Sequence, residues 1–227
     1  MNDYITILGT GNAHATRCYN TCFTLHGEKG VLLVDAGGGN GILPNWKKQE
    51  SGVRTSATSL SPMPIRIICW AASGSCGWHF SFDTLSVCGG DQFEAGGFPL
   101  QCFDIHSTKE RQFGFEAQLS DGRRLCCLGD EPFSPQCRQY AEGADWLMSE
   151  AFCLYEDRDR FQPYEKHHST VLDAARLAEE LRVKNLILYH TEDQTLDTRR
   201  ERYTMEAKTV FKGQVFVPDD LERISLP

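Results

Sequence analysis

The sequence predicts an α+β fold, organised as one domain over residues 1–227. Three observations carry this. Apolar runs of strand length come in bunches, whereas a βαβ repeat would interleave each with a helix. At least one late segment has a clear helical period, which excludes an all-β domain. The chain is 227 residues long and 41% hydrophobic, sufficient to bury one good core.

Taken in order, residues 4–9 (YITILG) form a strand ending at a glycine turn, and 31–36 (VLLVDA) form a continuous apolar strand ending before Gly-Gly-Gly. The stretch 45–97 collects Ser, Gly, Thr and Trp without clean periodicity. Residues 98–105, 112–119 and 124–129 read as further strands, and the Asp-Gly pair at 121–122 joins the last two as a hairpin. Residues 145–149 (DWLMS) form another buried strand. From 171 to 182 apolar residues fall at 171, 172, 175, 178 and 181, the pattern of an amphipathic helix, with Thr170 and Asp173 placed as its capping box. A strand at 185–189, a charged helix near 197–211 and a last strand at 214–217 complete the chain.

A net charge of −8 rules out a global basic field of the kind that draws in nucleic acid, though not a local patch. No apolar run approaches the roughly 20 residues of a membrane span. The start, MNDYITILGTG, lacks the basic-then-apolar order of a secretory signal, so a cytoplasmic location is expected. There the ten cysteines read as reduced, mostly buried thiols, and no CxxC pair suggests a zinc knuckle. Cys126 and Cys127, adjacent in a strand, are expected to point to opposite faces.

Gly9 and Gly11 have the first spacing of a dinucleotide fingerprint, but His14 stands where the third glycine belongs and no helical pattern follows. More informative are four polar residues at strand ends: His106, Asp130, Glu150 and His190. Strand-end loops along one sheet edge are where catalytic groups gather. His and Asp together suit Zn²⁺ or Mn²⁺.

The segments ITILGTGNAHATRCYNTC, LLVDAGGGNGIL, FDIHSTKERQFGFEAQL, CLGDEP, LMSEAF, HHST and LILYHTED together resemble the metallo-β-lactamase superfamily. Their order is most similar to its ribonuclease Z-like branch, over residues 4–44 and 98–219. The resemblance implies an αββα sandwich and two metals about 3.5–4 Å apart, zinc or manganese, that share a bridging hydroxide. It assigns His106 to the first metal, Asp130 to a bridge between both and His190 to the second. His168, directly before Ser-Thr, would assist the leaving group, with Glu150 orienting it. The Ser-Thr pair is also an ordinary helix cap. Asp35 would support loops near the site.

The family's His-x-His-x-Asp-His signature is missing. Between Leu43 and Cys102 the one histidine is His79. Back-translation explains the gap. Read one base out of register, the codons from Leu60 permit Ile-Ser-His-Ala-His-Thr-Asp-His-Leu-Leu-Gly. Met63, Ile65, Ile67 and Ile68 each supply the AT that the four ligand codons need. Residues 45–90 therefore read as a frameshifted segment beginning near Pro44, with the frame recovered by about Asp91 and a stretch after Trp78 lost. Such a segment is expected to be the least regular and least well packed part of the fold.

Two functions follow. By resemblance the chain is a metal-dependent phosphodiesterase, and without its ligand cluster it is expected to be inactive as written. The alternative is a non-catalytic remnant or binding protein, or a hydrolase of a small phosphodiester or other ester rather than tRNA. Members of the family that process tRNA carry a basic arm, in the bacterial form between the His and Gly-Asp motifs. Here His106 and Asp130 lie 24 positions apart, filled by one hairpin. The family also suggests a homodimer, and nothing suggests a membrane partner.

Overall fold

Alternation along the strands sorts the apolar side chains into two layers. The computed structural model describes residues 2–35, 57–60, 67–70, 83–85, 90, 92–108 and 111–227. Its first strands are β1 (Tyr4–Gly9), β2 (Cys22–His26), β3 (Val31–Val34), β4 (Ala57–Leu60), β5 (Ile67–Trp70) and β6 (Asp83–Leu85). Next come β7 (Gln92–Ala95), β8 (Phe98–Asp104), β9 (Phe113–Gln118) and β10 (Arg124–Cys127). The remainder are β11 (Trp146–Glu150), β12 (Asn185–Tyr189), β13 (Gln214–Phe216) and β14 (Arg223–Ser225). Helices are α1 (Arg138–Ala141), α2 (Arg158–Phe161), α3 (Val171–Glu180) and α4 (Leu196–Lys208).

Among the described residues these strands form two seven-stranded sheets, β14-β1-β2-β3-β4-β5-β6 and β13-β12-β11-β10-β9-β8-β7. Ile5, Ile7, Phe23, Leu25, Leu32 and Val34 of the first sheet share one core with Leu125, Cys127, Trp146, Met148, Ile187 and Tyr189 of the second. The intervening residues Cys126, Leu147, Leu186 and Leu188 face the other way, into a second core with α3 and α4. Strands buried on both faces read as the continuous apolar runs seen in the sequence. Cys126 and Cys127 fall in different cores, as adjacent strand residues must. The cysteines whose side chains are described are free thiols.

Helix α3 begins where expected. Thr170 accepts from the Asp173 N–H while the Asp173 carboxylate accepts from Thr170, a reciprocal capping box. It buries Val171, Ala174, Ala175 and Ala178. Leu172, expected on the apolar face, lies on the flank. One helical step from Val171, it sits beside the face that Val171, Ala174, Ala175 and Ala178 form, and is half-buried. Helix α4 is charged, but Arg199, Tyr203 and Ala207, four residues apart, make one buried stripe. Strands β2, β7 and β14 carry no clear signal in the sequence, because each is too short for its period to show.

Gly9 and Gly11 prove to be packing residues. A Cβ on Gly9 would lie 2.1 Å from the Asn20 carbonyl oxygen, and one on Gly11 would lie 2.6 Å from Cys18 Sγ. The chain after β1 continues as loop, not helix, so the dinucleotide pattern is coincidental. The expectation of irregularity over residues 45–90 falls largely outside the described residues. Those described there include the strands β4, β5 and β6.

On the outer side of the first sheet, His26 stacks on its cross-strand neighbour Tyr4, with ring centroids 4.2 Å apart, and the Arg223 guanidinium covers that tyrosine ring. Burial, and secondarily the charge of Arg223, lowers the His26 pKa from 6.5 to about 4. Between these values the unfolded chain binds a proton that the fold refuses. Stability is then undiminished above about pH 6.5 and falls as pH drops toward 4, with a slope of at most ~1.4 kcal/mol per pH unit from this group. Urea unfolding between pH 4 and 7 should show His26→Phe flattening that slope; identical slopes for both proteins would refute it.

Candidate functional site

Register determines what shares an edge. Cys102 pairs with Phe115, Phe115 with Cys127, Cys127 with Met148 and Met148 with Ile187, so one row crosses five strands. Strands β10, β11 and β12 are parallel, and β8, two antiparallel steps from β10, runs the same way. Their carboxyl ends therefore open on one edge, where His106, Asp130, Glu150 and His190 stand. Ser107 donates to Glu131 Oε1 at 3.0 Å, joining the loops that carry His106 and Asp130.

Both strand-end histidines turn the chain through left-handed backbone, His106 at φ 61° and His190 at φ 58°. Asp35, ending β3, does the same at φ 60°. His and Asp tolerate this region better than most residues, yet it still costs about 1–2 kcal/mol each, and such strain concentrates at functional sites. At His106 the turn is held by its own N–H donating to Asp104 Oδ1.

The tightest cluster joins Glu150, His168, Ser169 and His190. Glu150, 1% exposed, accepts from the Ser169 N–H at 2.5 Å and the Ser169 hydroxyl at 2.6 Å with Oε1, and its Oε2 faces His168 Nδ1 at 3.4 Å. Burial raises the Glu150 pKa, and the neighbouring His168 opposes that shift. The His168 ring lies flat on Phe152 and 5.0 Å from the His190 ring. His167 is exposed and ends the preceding turn in left-handed conformation, so of the adjacent pair His168 is the one in the cluster.

His190 Nδ1 lies 3.0 Å from Thr21 Oγ1, whose proton is donated to the Gly11 carbonyl. The hydroxyl must then accept from Nδ1–H, which in the neutral ring leaves the lone pair on Nε2. Tyr189 donates its hydroxyl to the Gly129 carbonyl and so anchors the turn before Asp130. Thr21, Phe152, Ser169 and Tyr189 were not singled out from sequence. Ser169 read as a cap, and the other three carry no spacing signal.

No protein-family model matches the chain. Among curated proteins, a ribonuclease Z of Nocardia farcinica is 36% identical over 108 residues, 47% of this chain and 33% of that protein. A ribonuclease Z of Pyrobaculum calidifontis is 27% identical over 167 residues, 66% of this chain and 54% of that protein. The chain thus spans from a third to about half of these relatives' length. Among solved structures, the metallo-β-lactamase fold protein YhfI of Bacillus subtilis superposes with TM-score 0.74 at 16% identity, covering 99% of this chain and all of that one. Human tRNase Z, short form, gives 0.68 at 20% identity, covering 99% of each.

The chain has the metallo-β-lactamase fold and, over about half its length, is similar in sequence to ribonuclease Z proteins.

The two-metal centre of that superfamily can be tested against this donor set. Among the described residues no group of three or more His, Cys, Asp or Glu is placed to hold a metal ion. Zinc takes about three or four protein ligands. His106, Asp130 and His190 share an edge but are three donors for two metals and are not gathered into one ligand group among the described residues, and His79 lies outside them. The residues described do not fit a two-metal centre.

Glu150 generates a prediction about the metallo-β-lactamase scaffold itself. Glu150→Ala leaves the Ser169 N–H without its acceptor and the hydroxyl with only the longer 3.3 Å bond to the residue-150 carbonyl, a loss of about 1–3 kcal/mol. Glu150→Gln keeps an acceptor oxygen and should cost clearly less in urea unfolding. Equal losses would mean that the charge facing His168, not the Ser169 bonds, is what the carboxylate provides.

Proposed function

We propose that this chain derives from a metal-dependent, ribonuclease Z-like phosphodiester hydrolase and that, as written, it does not turn over substrate. The observation that carries this is the donor deficit. The whole sequence has seven histidines and no His-x-His-x-Asp-His. The residues retained are His106, Asp130 and His190 as metal ligands, with His168 beside the leaving group and Glu150 orienting it. In support, His168 lies against both Glu150 and His190, while among the described residues the metal-holding set is incomplete.

The resident metal of the intact site is zinc, with manganese as the alternative, and the metals supply the activated hydroxide. His106, Asp130 and His190 would be the residues to hold those metals, and three donors fall short of what two such sites need. A small phosphodiester or another ester fits better than tRNA, given the net charge of −8 and the short interval between His106 and Asp130. We read residues 1–227 as a single domain, expected in the cytoplasm as a homodimer.

Elemental analysis of the dialysed protein should find well under one equivalent of zinc or manganese. Hydrolysis of a chromogenic phosphodiester with either metal added should stay at background. Two equivalents and steady turnover would overturn the proposal. The nucleotide sequence around codons 44–91 tests the frameshift directly, and a chain with the frame restored and the lost segment supplied should regain both metal and turnover.

A further inference from the structure

We propose that Arg199 is a positioning residue that sets the backbone of His190 by locking the loop after β12 onto the loop after β1. Arg199 is 1% exposed, although it lies on a strongly charged helix. Its Nη1 donates to Thr10 Oγ1 at 3.1 Å and to Thr191 Oγ1 at 2.8 Å. Its Nη2 donates to the Pro218 carbonyl at 2.7 Å and to Asp219 Oδ1 at 3.0 Å. One planar fork thus ties α4 to the ends of β1 and β12 and to the segment before β14. Lysine could not span these four acceptors from one ammonium point.

The acceptors are themselves ordered to receive it. Thr10 Oγ1 gives its proton to Asp220 Oδ1, which leaves its lone pairs for the guanidinium. Thr191 follows His190 directly, and its N–H donates to the Thr10 carbonyl at 3.0 Å. Its carbonyl accepts from both the N–H and the side-chain amide of Asn12, each at 3.0 Å. The same loop carries Gly11 and Thr21, the pair that fixes the His190 ring. His190 is thus held in left-handed backbone by contacts on both sides, and Arg199 closes them from within the protein.

A buried guanidinium whose carboxylate partner, Asp219, is 59% exposed is a costly way to gain stability alone. Fixing geometry at a strained residue accounts for it better. The inference bears on the proposed site through His190, but its test needs neither metal nor substrate, so its failure and that of the hydrolase reading are distinct.

Native-state hydrogen exchange on the full chain provides the test. In Arg199→Lys the amides of Thr191 and Asn12 should exchange at least tenfold faster. Those of Leu128 and Asn185, bonded to Met148 and Asp145 within the parallel strands, should stay within about twofold. Nitrogen NMR of the neutral His190 ring should show the Nδ1–H form losing its dominance. Uniform acceleration at all four amides would make Arg199 a stability residue only and overturn the proposal, as would unchanged loop amides or a fully retained Nδ1–H form. Should Arg199→Lys not fold, Thr191→Val and Thr10→Val each remove one acceptor and are read the same way.

Discussion

In a parallel sheet every strand leaves at the same edge, and the in-register pairing of β10, β11 and β12 sets the geometry of everything else described here. Met148 lies between Cys127 and Ile187, so the chain emerges at neighbouring places with Gly129-Asp130, Glu150 and His190. Slipping one strand by a residue would turn Leu147 or Leu186 toward the wrong core and would withdraw a polar residue from the edge. Burial of both faces is therefore what holds the polar row in place.

The edge is reinforced by hydrogen bonds that run from the protein interior outward. Tyr189, in the core between the sheets, holds the Gly129 carbonyl, and Glu150 holds Ser169 at the head of α3. Arg199 brings the loops after β1 and β12 together. Each device satisfies a buried polar group and orders a loop at once, which is how a fold can keep a strained residue such as His190 in a single conformation.

Such a scaffold persists without a complete donor set because the two depend on different parts of the chain. Packing energy resides in the apolar cores, whereas metal affinity resides in a few loop side chains. The sequence contains no His-x-His-x-Asp-His segment, and the pairing of β8 to β12 does not depend on one. Fold likeness to metallo-β-lactamase proteins is thus compatible with a donor set that, among the described residues, does not gather around a metal.

Much of this was legible in the sequence. The buried strands, the capping box of α3 and the Asp-Gly hairpin rest on local chemistry, namely apolar runs, a Thr-x-x-Asp spacing and a residue free to take positive φ. His106, Asp130, Glu150 and His190 could be found because each ends a run whose pattern is self-contained. The partners of those residues could not. Thr21 meets His190 across 169 positions, and Thr10 and Arg199 are 189 apart. Contacts between loops so distant are set by how two sheets and a helix pack, and no period in the sequence encodes that. The order His-Ser-Thr points to His168 rather than His167 as the partner of Glu150; the structure adds the left-handed turn at His167 and the stacking of the His168 ring on Phe152.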